Sequence, residues 1–110
     1  MENERSTFME VFGESPFIRV LDFFLTFRDF DYPLTEVAEN SGVAWSTLHQ
    51  IFPKLIRLGI VKETRQIGRA KLFILNKENE IVKQLMLIDN QIMRYFAEID
   101  TRKDVKVPAR

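Results

Sequence analysis

The chain has no cysteine and only one histidine, His49. Disulfides, thiolate metal sites and a cysteine nucleophile are therefore excluded, and a histidine cluster for metal is not expected. No apolar run approaches the roughly 18 residues that span a bilayer, and the acidic opening MENERST lacks the basic character of a signal peptide. A cytoplasmic protein without membrane contact is expected. No glycine-rich phosphate loop, nucleophile elbow or metal-binding pair of histidines occurs, so neither an enzyme nor a cofactor is expected. Net charge is also absent, with 16 basic residues against 16 acidic ones. What remains is 110 residues with an ordinary 45% hydrophobic content and ten phenylalanines, all but Phe73 and Phe96 within the first 52 positions. One core fits this length, and so much aromatic surface favours an oligomer.

The zero net charge conceals a division. Residues 1–44 hold nine acids and three bases, whereas residues 45–71 hold Lys54, Arg57, Lys62, Arg65, Arg69 and Lys71 against Glu63 alone. A basic strip on a neutral chain is the footprint of a surface that follows phosphates.

Local signals divide the chain into an N-terminal extension (1–15), a compact domain (16–76), a long helix (77–99) and a disordered tail (100–110). Ser15 and Pro16 start a helix that should reach about Arg28, capped by the serine hydroxyl and begun by proline's fixed φ. It is apolar around most of its circumference, so Phe17 and Phe24 are assigned to a partner subunit. Tyr32 and Pro33 break the chain and suit a short edge strand. Thr35 is expected to cap a helix over Glu36 to Asn40, Gly42 turns the chain, and a further helix runs from Trp45 or Ser46 to Leu58. Leu48, Ile51, Phe52, Leu55 and Leu58 mark its buried face. Ser46, Thr47, His49, Gln50, Lys54 and Arg57 lie outside, with Trp45 at the entry. Gly59 suits a Schellman stop with Ile60 folding back on Leu55. Pro53, which removes a backbone donor, should kink this helix.

Ile60 to Arg65 and Lys71 to Leu75 read as two strands joined by Gln66 to Ala70. Asn76 is expected to cap the last helix. There Ile81, Leu85, Ile88, Ile92, Tyr95 and Ile99, spaced 4, 3, 4, 3, 4, form a heptad seam that Phe96 widens, which points to a homodimer.

The segment LTEVAENSGVAWSTLHQIFPKLIRLGIVKETRQIGRAKLFILN resembles winged helix-turn-helix regulators of the ArsR and MarR-like type, archaeal or bacterial. The matching features are L-T-E-x-A before G-V, the S-T pair opening the third helix, L-x-x-x-G-I-V leaving it, and R-x-x-G-R before an apolar strand. Ala44, where many relatives carry a capping serine, and Pro53 depart from the pattern. The resemblance implies a mainly α fold with a small β-hairpin, a winged helix-turn-helix plus a long C-terminal dimerisation helix. It further implies a homodimeric, sequence-specific double-stranded DNA-binding transcription regulator, a repressor by expectation. Trp45, Ser46, Thr47, His49, Gln50, Lys54 and Arg57 would form the recognition helix and Arg65, Arg69 and Lys71 the wing. A winged-helix module for protein contacts in a transcription or replication assembly is the alternative, but such a module has no need of the basic strip. Whether a small-molecule effector exists is not legible here: the methionines and phenylalanines of the dimer region suit a pocket as well as apolar core, and core is the commoner arrangement.

Overall fold

The computed structural model of the chain describes residues 5–101. Among the described residues, five helices and three strands follow one another as α1 (Thr7–Phe12), α2 (Pro16–Thr26), β1 (Tyr32–Pro33), α3 (Leu34–Ser41), α4 (Trp45–Arg57), β2 (Val61–Ile67), β3 (Ala70–Leu75) and α5 (Glu80–Thr101). This is the mainly helical, winged arrangement expected from the sequence. The strands form one antiparallel sheet in the order β1-β3-β2, so the short strand at Tyr32 and Pro33 flanks the wing hairpin as its third member.

Local chemistry explains most element ends. The Ser15 hydroxyl accepts the Ile18 amide at 3.2 Å, and Pro16 begins α2 as expected. This helix stops at Thr26, two residues early, and the Arg28 guanidinium donates to the Leu25 carbonyl at 2.8 Å. Thr35 does not cap α3, which starts two residues earlier than expected, at Leu34, with Pro33 at the cap position and no side-chain bond.

At the end of α4 the expected Schellman motif is complete. The Ile60 amide reaches the Leu55 carbonyl at 3.0 Å, the Gly59 amide reaches that of Ile56 at 2.9 Å, and Gly59 sits at φ 75°. Pro53 leaves α4 uninterrupted from Trp45 to Arg57.

Asn76 is not the cap of α5. The Asn79 carboxamide accepts the Ile81 and Val82 amides at 2.7 and 3.1 Å, while its nitrogen donates to the Leu58 carbonyl at 3.0 Å. Asn76 instead donates to the Gly59 carbonyl at 3.1 Å, so two asparagines tie the start of α5 to the end of α4. A Cβ on Gly59 would lie 2.8 Å from the Asn79 side-chain nitrogen. Gly59→Ala therefore strains a left-handed residue and disturbs the neighbouring cap. A loss of about 2 kcal/mol is expected in urea unfolding, against near neutrality for an alanine placed at an exposed position of α5.

The core gathers Val20, Phe24 and Leu25 of α2, Val37 of α3, Leu48 and Leu55 of α4, Val61 and Leu75 of the sheet and Val82 of α5. Phe24 is fully buried within the chain's own core, which corrects its assignment to a partner subunit, and Phe17 is half-buried against that core. The described part of the N-terminal extension, residues 5–15, also contributes to this core. Ser6 accepts the Met9 amide to start α1 and donates to Asp22 of α2 at 2.9 Å, and Phe8 is 1% exposed.

The inner face of α5 consists of Val82, Leu85, Met86, Asp89, Ile92 and Phe96. Asp89 pairs with Arg28 at 3.3 Å, and burial pushes its carboxyl above the usual carboxylate range despite the nearby guanidinium. Ile92 is buried and Leu85 and Phe96 are packed inward, so these three residues of the expected dimer seam serve the monomer's core. Ile81, Ile88, Tyr95 and Ile99 remain 43–58% exposed along the adjoining stripe. α5 continues two residues beyond the expected end at Ile99, and residues 102–110 of the expected tail lie outside the described residues. No described helix is long and apolar enough to cross a membrane.

Candidate nucleic-acid interface

The α3 helix, the Gly42 turn and α4 present one side of α4 to solvent, and the β2–β3 hairpin projects beside it. Gly42 takes φ 71°, its amide and that of Val43 both bond to the Ala38 carbonyl, and Val43 is buried. This fixes the entry of α4 relative to α3. Its 13 residues rise about 20 Å.

The outer residues of α4 face different neighbours. Ser46, Gln50 and Arg57 are exposed opposite the Leu48–Phe52–Leu55 core stripe. Thr47 is half-buried. Lys54 turns toward α2, its ammonium 4.8 Å from the centre of the Phe17 ring, a cation–π contact across the helix pair. Trp45 and His49 form a unit on the side nearest the wing. Their rings meet edge to face at 4.3 Å, and the His49 Nδ1 lies 3.1 Å from the Trp45 carbonyl. A carbonyl oxygen only accepts, so in this bond the ring donates through Nδ1.

The wing is tighter than a five-residue loop. Ile67 pairs with Ala70, so only Gly68 and Arg69 form the turn, with Gly68 at φ 60° and Arg69 at negative φ, the pattern of a type II′ hairpin. This puts Arg69 at the tip. The ladder slips at Thr64, where Glu63 faces Phe73 and Arg65 faces Leu72, leaving Thr64 as a bulge. The Thr64 hydroxyl donates to Asp31 at 2.6 Å, and Arg65 grips the same carboxylate through Nε at 2.9 Å and a terminal nitrogen at 3.1 Å.

The bonds from Arg65 and Thr64 hold the Asp31 carboxyl below its usual range. Arg65 is therefore charge-neutralised by the turn after α2, and its first role is to anchor the wing. Lys77 does the equivalent with Asp29 in the same turn. Among the described residues, Arg57, Lys62, Arg69 and Lys71 enter no ion pair.

A groove missed by residue patterning lies between α4 and the wing. Its first hollow, about 390 Å³ and open to solvent, is lined by Pro33, Leu34, Trp45 and Phe73 together with Arg69 and Lys71. The second, about 400 Å³, extends from Leu34 and Phe73 along Phe52, Pro53 and Ile56 to Arg57. No acidic side chain lines either. The sequence signal was the spacing of Trp45, His49, Pro53, Ile56 and Arg57 on one α4 stripe, but the wing residues opposite it are set only by the fold.

No known family's sequence profile and no curated protein matches the chain. Among solved structures, the fold is similar to that of Sso10a-2, described as a DNA-binding protein from Sulfolobus solfataricus, at a TM-score of 0.50 and 11% identity. The similarity covers 82% of this chain and 96% of that one, and at such low identity it speaks for the fold.

Proposed function

We propose that the chain is a double-stranded DNA-binding transcription regulator, a repressor acting as a homodimer. The observation that carries this reading is the placement of Arg57, Arg69 and Lys71. They come from an exposed helix face and a wing tip, enter no ion pair among the described residues, and border one surface without a facing acid. Such cations gain free energy from phosphate by releasing condensed counterions. Ser46 and Gln50 stand on the same exposed side of α4, near the end that enters the major groove in helix-turn-helix docking, where glutamine can bond adenine. Sso10a-2 is itself described as a DNA-binding protein, which agrees with this reading. The stripe of Ile81, Ile88, Tyr95 and Ile99 supplies the dimer seam, and a two-fold pair then reads half-sites about one helical turn, roughly 34 Å, apart.

The test separates free cations from the anchored one. Arg69 and Lys71, both changed to alanine, are expected to lower the slope of log affinity against log salt by about 4 units, roughly one for each of the four phosphates, two per copy, no longer neutralised. Asp31→Asn releases Arg65 and is expected to raise the slope. Unchanged slopes in both variants would remove the wing from the interface.

A further inference from the structure

The groove between α4 and the wing has a chemistry that duplex DNA does not use. Leu34 and Phe73 line both of its hollows, Trp45 and Ile56 add apolar surface to one each, and its cations are Arg69 and Lys71 in the first hollow and Arg57 in the second. Paired, stacked bases offer phosphates and groove edges to a protein, and neither fills two apolar hollows of about 390 and 400 Å³. The matching partner is anionic along a backbone and carries flat apolar faces beside it.

We infer that this groove binds a short single-stranded nucleic acid, with unpaired bases in the two hollows and backbone phosphates on Arg57, Arg69 and Lys71. Trp45 is 49% exposed although its ring is fixed against His49, so a stacking face is held ready and not ordered on binding. Binding of single strands combines this kind of aromatic platform with a positively charged track. The distance from Trp45 to Arg57 along the helix, about 18 Å, suits a strand of a few nucleotides. The inference shares the nucleic-acid reading of α4 but does not require duplex binding.

Trp45 is the only tryptophan in the chain, so its fluorescence reports directly on the groove. The full chain is titrated with a thymidine octanucleotide, an octamer of the same backbone without bases, and a hairpin duplex. The base-bearing strand should quench Trp45 and bind about tenfold or more tighter than the abasic one, and Trp45→Ala should remove that advantage while Trp45→Phe retains most of it. Equal affinity for the abasic strand, or binding without quenching, overturns the inference. So does displacement of the strand by an acidic amphipathic peptide that binds more tightly, which assigns the groove to a protein partner. Single-strand binding without duplex binding would sustain this inference and defeat the duplex reading. Duplex binding alone would do the reverse.

Discussion

Phe8→Ala is expected to destabilise the chain by about 3–5 kcal/mol, the usual loss for a large aromatic removed from a packed core. For a domain of this size that lowers Tm by at least about 12 °C. Phe8 is 1% exposed, its ring lies 4.8 Å from that of Phe12, and it belongs to the same cluster as Phe24 and Leu25. The effect is a structural one because α1 closes the space between α2 and α5. Ser6 helps hold it there, since one hydroxyl both starts α1 and bonds Asp22, whose carboxyl burial pushes upward. Thermal unfolding followed by circular dichroism measures the loss. A change of less than about 1 kcal/mol, the range of surface substitutions, would show that residues 1–15 are an appendage after all.

Ile88→Glu is expected to have the largest effect on binding while leaving the fold intact. Ile88 is 43% exposed, with Ile81 and Tyr95 one heptad away on either side at 49% and 58%. A charge there meets only water in a monomer, so stability should change by about 0.5 kcal/mol or less. Across a dimer seam it would be desolvated opposite its own copy and split the pair. Sedimentation velocity is expected to show a dimer for the unaltered chain and a monomer for the variant. Losing the second recognition helix should weaken affinity for a two-half-site duplex by about 10² to 10⁴, the gain that linkage of two binding units provides. A variant that stays dimeric would exclude the α5 stripe as the seam.

Elements governed by near neighbours were legible in the sequence. The Ser15–Pro16 start and the Gly59 stop each depend on residues within a turn, and both have the expected hydrogen bonds. The misplaced features depend on partners far along the chain. Asn76 and Asn79 both donate to carbonyls at the end of α4, and only Asn79 is left with its oxygen on the Ile81 and Val82 amides, a placement that capping preference alone does not reveal. On α5 the heptad spacing is real, but Asp89 interrupts the apolar pattern of the inner face. Its burial rests on Arg28, 61 residues away, so the inward turn of Ile92 and Phe96 was hidden.

The candidate site divides in the same way. The exposure of Ser46, Gln50 and Arg57 followed from helix periodicity, as did the basic content of the wing. Arg65 looked equivalent to Arg69, yet a bulge at Thr64 and a carboxylate at Asp31, 34 residues away, give it a different task. The acids of the first 44 residues are thus partly deployed against the basic strip. That leaves fewer cations for phosphate than the composition implied, and concentrates them around the groove and the wing tip.

Fluorescence-anisotropy titration of the unaltered chain on random-sequence duplex DNA, at a low and a physiological salt concentration, tests the central claim most directly. A dimer contacting phosphate through Arg57, Arg69 and Lys71 of each copy is expected to bind at low salt and to lose affinity with a log–log slope of about −5. No binding at low salt, or binding indifferent to salt, would contradict the account.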